Sequence, residues 1–229
     1  MIAWVQLDSA PIPGGGELRL LQRGAEFSIM SSSPGMGRTE LMNSRRGASE
    51  ADLATLAWAG IAPRKAPRIL IGGLGMGFTL RAALEVAPRD AKVVVAELLP
   101  EVIAWAHGPL AHLFDGSLTD PRTQVIATDV IRLIAAAADE PFDAILLDVD
   151  NGPGGLNRGA NDRIYSADGL AAARAALTAR GVLAIWSAAR DDAFVQRLRR
   201  GGWAVEEKTV RATPSGKGPR HIIWLAKAR

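Results

Sequence analysis

The stretch Arg68-Ile-Leu-Ile-Gly-Gly-Leu-Gly-Met-Gly-Phe78 constrains the fold more than any other part of the chain. An apolar run of strand length ends in Gly72, Gly73, Gly75 and Gly77, and the alanine-rich pattern Thr79 to Val86 continues as a helix. A parallel α/β sheet builds a ligand crevice in this way. The strand stops, the chain turns where a side chain would obstruct it, and a helix N-terminus faces the gap. A second apolar run, Ala91 to Glu97, ends in a carboxylate. An acid at the tip of the second strand is placed to accept hydrogen bonds from sugar hydroxyls. The glycine spacing is G-x-G-x-G, not the G-x-G-x-x-G of dinucleotide enzymes, which counts against an NAD-binding oxidoreductase.

Strand and helix patterns alternate through the remainder. Strands are predicted at 68–72, 92–97, 123–127, 143–148 and 181–187, and helices at 77–87, 100–107, 130–138, 167–179 and 191–200. Two closing strands, 203–211 and 220–226, flank Thr213 to Pro219 as a hairpin. The expected architecture is a Rossmann-like seven-stranded sheet, mostly parallel and closed by an antiparallel hairpin, over residues 48–229. Residues 1–47 form a small β-rich extension. There Glu17 to Arg23 and Glu26 to Met30 alternate in polarity, Pro11 to Gly16 reads as a loop, Pro34 to Gly37 as a turn, and Thr39 to Met42 as a third strand. Ser49 opens a helix, with Asp52 completing an approximate capping box.

With 48% hydrophobic and 22% charged residues, the chain reads as a globular protein with a substantial core. The N-terminus lacks a basic-then-apolar secretory pattern, and no apolar run reaches membrane-spanning length. Zero cysteines exclude thiol nucleophiles and Cys-ligated metals, and a cytoplasmic location is the default. The net charge is +3, and the basic residues after Arg190 interleave with Asp191, Asp192, Glu206 and Glu207. That mixture describes a solvated face and counts against a nucleic-acid partner.

Ligands of open α/β sheets sit beyond the carboxyl ends of the strands. Beyond the third predicted strand stands Asp129, either a helix cap or a ligand contact, two roles one residue can combine. Beyond the fourth stands Asp148-Val-Asp150-Asn151-Gly-Pro153. Paired carboxylates in a Gly/Pro-bounded loop suit binding a cationic amine and taking a proton from it, the alternative being a solvated polar turn. Asp148, at the strand end, is assigned the base; Asp150 and Asn151 are assigned acceptor contacts. Tyr165, the sole tyrosine, is a candidate pocket residue, with a core contact as the alternative. Three scattered histidines give no metal spacing, and the tryptophans are expected in the core.

Taken together, Ile71-Gly-Gly-Leu-Gly-Met-Gly77, Val94-Val-Ala-Glu97, Thr128-Asp-Val130 and Phe142-Asp-Ala-Ile-Leu-Leu-Asp148 resemble the spermidine synthase (polyamine aminopropyltransferase) family, which shares the class I S-adenosylmethionine-dependent methyltransferase fold. The resemblance covers residues 65–190. It implies that Glu97 holds the ribose hydroxyls, Asp129 the adenine amine, and Asp148 acts as base on the attacking amine. It also suggests a homodimer. Two departures stand out. The family's glycine loop usually reads Gly-Gly-Gly-Asp-Gly, and the Asp, which helps hold the amine end of decarboxylated S-adenosylmethionine, is Gly75 here. The N-terminal segment also lacks the family's pocket tyrosines. On these grounds methyl transfer from S-adenosylmethionine to an amine is favoured over aminopropyl transfer, with the helix amides at Gly75 to Phe78 meeting the donor carboxylate. Aminopropyl transfer and a non-catalytic nucleoside-binding scaffold are the alternatives.

Overall fold

The computed structural model describes residues 2–13, 15–33, 37–61, 63–149, 151–153, 163–216 and 218–228. Two sheets organise them. The main sheet contains β5 (Arg68–Gly72), β6 (Lys92–Glu97), β7 (Thr123–Ala127), β8 (Phe142–Leu147), β9 (Leu177–Ser187), β10 (Trp203–Arg211) and β11 (Arg220–Ala228), in the order β10-β11-β9-β8-β5-β6-β7. Strands β5 to β9 pair in parallel, whereas β11 runs antiparallel to both β9 and β10. The chain moves outward from β5 through β6 to β7, then crosses back to β8 on the other side. This reversal opens a crevice at the carboxyl ends of β5 and β8.

Both faces of the central strands are covered, so β8 is buried throughout and β5 is buried from Ile69 to Gly72. Unbroken apolar runs, not alternating ones, follow from that double coverage. Helices α1 (Ala48–Gly60), α2 (Phe78–Val86) and α3 (Pro100–His107) join one core layer. Helices α5 (Val130–Ala135), α6 (Ala167–Ala175) and α7 (Asp192–Arg200) join the other, together with the fully buried Trp203 and Trp224. A short α4 (Ala111–Phe114) precedes β7. Each fully buried Leu, Ile or Phe in these layers contributes about 1.5–3 kcal/mol of transfer free energy.

Three backbone hydrogen bonds knit the strand ends into one rim. Asp148 N donates to Gly72 O, Gly73 N to Ala96 O, and Thr128 N to Glu97 O, each at 2.9 Å. The residues that emerge there are consequently held in register with one another.

The N-terminal residues form a separate antiparallel meander, β1 (Val5–Pro11), β2 (Glu17–Arg23), β3 (Glu26–Ser33) and β4 (Gly37–Asn43). Its inner face, including Leu20, Phe27 and Ile29, joins the core of the main domain. Trp105 Nε1 on α3 donates to Asp8 Oδ2 at 2.7 Å, tying β1 down. Strand β1 goes unannounced in the sequence because only Ala10 of its seven residues is buried. The turn expected at Pro34 to Gly37 falls largely outside the described residues, as does Lys217 of the closing hairpin loop.

Two local expectations are corrected. The helix expected over 167–179 ends at Ala175, and β9 begins at Leu177 because Leu177 pairs with Phe142 and Thr178 Oγ1 donates to Asp143 Oδ1 at 3.0 Å. Ser49 does not cap α1. Gly47 occupies the N-cap without a side-chain bond, and the Ser49 hydroxyl turns inward to other partners.

Candidate active site

A cavity of about 190 Å³ lies at the crevice between the two sheets. Its floor is the rim of strand ends, and its roof is apolar, made of Ile12, Pro13, Leu18, Ile29, Leu41 and Met42 of the N-terminal segment. Four carboxylates line it, those of Glu50, Glu97, Asp129 and Asp148, and no Lys or Arg is among its described lining residues.

One half of the floor is built from Glu97 and Asp129. Glu97 is buried and its two oxygens accept from the amides of Leu74 and Leu99, both at 2.9 Å. Burial pushes its carboxyl above the usual carboxylate range, and those amides oppose the shift. The carboxylate is thereby fixed across the glycine turn and the end of β6. Asp129 caps α5 by accepting from Ile131 N at 3.0 Å, and it also lines the cavity. Capping and cavity exposure therefore coincide in one side chain.

The other half is built around Asp148. Its Oδ2 accepts from the Thr79 hydroxyl of α2 at 2.6 Å. Burial pushes its carboxyl up to about 6, with the Thr79 bond opposing. Lining the same cavity is Glu50, which sequence reasoning missed. It is buried in the first turn of α1, where burial first and the Asp148 charge second push its carboxyl up to about 7. Its signal was present in the sequence. Glu50 is in helical register with Leu53, Ala54 and Ala57, so an acid sits on the buried stripe of α1. Glu50 Oε2 accepts from Ser49 Oγ at 2.5 Å, and the same hydroxyl lies 2.8 Å from His221 Nδ1. The carboxylate partner that Asp148 acquires among the described residues thus comes from α1.

Of the glycines, Gly73 and Gly75 line the cavity, whereas Gly72 and Gly77 do not. At Gly73, φ is 96° and an added Cβ would collide with the Asp148 carbonyl oxygen, so the turn requires glycine. Gly72 makes room for Val130, and Gly77 opens α2 under the Phe114 ring. Packing and turning account for glycine at both positions. Gly75 is overlain by Met42, whose Sδ would lie 2.9 Å from an added Cβ and which accepts from the Met76 amide at 3.1 Å. That amide, expected to meet a donor carboxylate, faces a thioether instead.

Tyr165 is not a pocket residue. It is buried in the core with its ring edge-on to Phe194 at 5.6 Å. Asn151 is likewise absent from the cavity lining; its carbonyl accepts from Ala188 N at 3.2 Å and tethers the loop to the end of β9. Asp150 lies outside the described residues. Trp186, expected in the core alone, presents part of its surface to the cavity.

No family model matches the chain. Among curated proteins it is similar to a polyamine aminopropyltransferase of Saccharolobus islandicus, 34% identical over 87 residues, covering 38% of this chain and 28% of that protein. It is also similar to a polyamine aminopropyltransferase of Mycobacterium tuberculosis, 31% identical over 119 residues, covering 51% of this chain and 22% of that protein. The matched part is therefore only about a quarter of each relative's length. Among solved structures, spermidine synthase from Thermotoga maritima superposes with a TM-score of 0.72 at 18% identity, covering 98% of this chain and 73% of the other. Human methyltransferase-like protein 13, in complex with SAH, superposes with a TM-score of 0.56 at 20% identity, covering 80% of this chain and 79% of the other. By sequence over part of its length and by fold over nearly all of it, the chain is spermidine-synthase-like, built on the class I methyltransferase fold.

Proposed function

We propose that the cavity binds decarboxylated S-adenosylmethionine and transfers its aminopropyl group to a small amine. The observation that carries this reading is the charge of the cavity: four carboxylates and, among the described lining residues, no cation. Decarboxylated S-adenosylmethionine brings a sulfonium and an ammonium, with no anion to desolvate. S-adenosylmethionine would bring a carboxylate into a wall that offers it Met42 where the helix amides were expected. The likeness to aminopropyltransferases points the same way. Methyl transfer, favoured on Gly75 and the missing pocket tyrosines, gives way because Glu50 supplies an anion at a different place in the cavity.

In this reading Glu97 accepts from the ribose hydroxyls and Asp129 from the adenine amine. The sulfonium supplies a good leaving group, so the protein's tasks are alignment, exclusion of water and deprotonation of the nucleophile. The acceptor arrives as an ammonium, drawn by Asp148 and Glu50. Its nitrogen passes a proton to Asp148 and attacks the methylene bonded to sulfur. The new C–N bond forms as the C–S bond breaks, leaving methylthioadenosine and a secondary ammonium. Asp150, two residues beyond the base, is assigned a contact to the distal end of the acceptor. The apolar roof keeps water from the sulfonium.

A homodimer also belongs to this proposal. Strand β1 is a sheet edge that carries the exposed apolar side chains Ile2, Trp4, Val5 and Leu7 in or beside it. Among the described residues, no helix is long and apolar enough to cross a membrane.

Mass spectrometry of products tests the reading. The protein is incubated with decarboxylated S-adenosylmethionine and a panel of diamines. Methylthioadenosine and an aminopropylated amine are expected, and methylated amine made from S-adenosylmethionine alone would overturn the aminopropyl assignment.

A further inference from the structure

The base in such a reaction must dispose of a proton at every turnover, and Asp148 lines a cavity roofed by apolar side chains. We propose that Glu50, Ser49 and His221 form a relay that carries this proton from the amine site to the far side of α1. The inference rests on the amine-transfer reading for the proton's origin, though the relay's geometry is independent of it.

The Ser49 hydroxyl is fully buried and touches two titratable groups at once, Glu50 Oε2 at 2.5 Å and His221 Nδ1 at 2.8 Å. A hydroxyl donates one hydrogen bond and accepts others, so it can serve the pair in either of two senses. With Glu50 protonated, the carboxyl donates to Ser49 Oγ and Ser49 donates to an unprotonated Nδ1. With the proton passed on, Nδ1–H donates to Ser49 Oγ and Ser49 donates to the Glu50 carboxylate. Switching between the two forms one N–H bond and breaks one carboxyl O–H bond. Ser49 exchanges its proton and is unchanged, so the step balances with no added reactant.

The upstream end meets the chemistry. Glu50 and Asp148 line the same cavity, and Thr79 Oγ1 bonds Asp148 Oδ2 at 2.6 Å while lying 3.3 Å from the Glu50 carbonyl. Two carboxylates enclosed together hold one proton between them far more readily than none. The downstream end is half-buried. His221 begins β11, packs edge-on to Trp186 with centroids 4.6 Å apart, and feels the charge of Arg46. The groups facing the relay are thus Asp148 from the end of β8, Arg46 from the segment before α1, and the apolar Trp186 from β9. Arg46 is itself paired with Glu40 at 3.4 Å. Burial raises the Glu50 carboxyl to about 7, while burial and then Arg46 lower the His221 imidazole below its ordinary value. Both shifts oppose the ordinary preference of a proton for imidazole over a carboxylate.

Two readouts decide it. Ring-labelled NMR on the full chain follows His221, assigned by its loss in His221→Gln, against His107 and His112. Glu50→Gln should lower the His221 midpoint by about one pH unit, the scale for removing a nearby opposite charge, and that shift should shrink by half or more in a Ser49→Ala background. An unchanged midpoint, or the same shift with and without the Ser49 hydroxyl, overturns the relay. The second readout is turnover of decarboxylated S-adenosylmethionine with 1,4-diaminobutane. Ser49→Ala and His221→Gln should keep wild-type kcat/KM values and single-turnover rates but lose kcat severalfold, with partial recovery as small-buffer concentration rises. Wild-type kcat at every buffer concentration in both variants overturns the relay even if the titrations are linked. Should the wild-type protein move no aminopropyl group, the functional reading fails while the titration still decides the relay.

Discussion

The floor and the roof of the cavity are made by opposite means. The floor consists of strand ends locked by backbone hydrogen bonds, and each places one carboxylate at the crevice: Glu97 after β6, Asp129 after β7, Asp148 after β8. The roof consists of side chains from a separate sheet that touch the cavity only through apolar surface, such as Ile29, Leu41 and Met42. Fixed dipoles and charges are what chemistry needs, because they cost no reorganisation when charge moves. An apolar cover needs only shape, and it admits or refuses donors by what it does not offer. The contrast teaches that, in the proposed reaction, the floor carries the chemistry while the choice between a carboxylate-bearing and a carboxylate-free donor depends on both layers.

The largest expected effect lies on the floor. Asp148→Asn keeps the shape of the side chain and loses its basicity, and should slow single-turnover transfer by about 10²–10⁴-fold, the range for a lost general base. Nucleoside affinity, read by calorimetry, should stay near wild type. Wild-type single-turnover rates in this variant would mean that the acceptor reacts already neutral.

Glu97→Ala comes next. It removes a carboxylate held by two amides and should weaken adenosyl-ligand binding by about 1.5–3 kcal/mol, the scale for charge-assisted hydrogen bonds. Calorimetry with methylthioadenosine checks it, since that ligand reaches the nucleoside half without involving the amine half. Equal affinity in the variant would detach Glu97 from the sugar.

The acidic pair makes a prediction about stability. The Glu50 carboxyl is raised to about 7 in the folded chain against an ordinary 4.5, and Asp148 to about 6 against 3.8. Below the unfolded values both states are protonated and nothing is lost. Between about pH 4.5 and 7 the unfolded chain releases a proton that folded Glu50 keeps, so stability falls as pH rises. The Glu50 share is on the order of 3 kcal/mol by the conversion of pKa shift to free energy. Denaturant titrations across this range should show the decline, and Glu50→Gln should flatten it. A ligand-free protein whose stability rises over the same interval in step with Glu50 ionisation would contradict the assigned environment.

The smallest effect is expected in the roof. Met42→Ala removes a thioether from above Gly75 and should weaken donor binding by about 1 kcal/mol or less, in line with partial loss of apolar contact. The single-turnover rate at saturating donor should hardly move. A hundredfold loss in that rate would erase the distinction between the two layers.

These two layers were not equally legible in the sequence. The floor could be read because parallel strands buried on both faces leave continuous apolar runs, and whatever follows such a run stands at the crevice. Ile69 to Gly73, Val93 to Glu97 and Ala144 to Asp148 all obey this. The roof could not, since which face of a four-stranded meander meets the cavity depends on docking, and β1 is almost wholly exposed. Glu50 was overlooked because attention to strand ends passes over helices, although an acid in register with Leu53 and Ala57 was the visible clue. Tyr165 misled for the opposite reason. Its proximity in sequence to the acidic loop suggested the pocket, but its ring lies in the core beside Phe194.

The central claim is that an acidic cavity, with no Lys or Arg among its described lining residues, selects a donor without a carboxylate. Competition calorimetry between decarboxylated S-adenosylmethionine and S-adenosylmethionine, run on the wild-type protein at pH 8, tests it directly. That pH lies above the values of Glu50, about 7, and Asp148, about 6. The decarboxylated donor should bind at least tenfold more tightly, a difference of about 1.4 kcal/mol, and the preference should narrow in Glu50→Gln. Equal or tighter binding of S-adenosylmethionine would contradict the account.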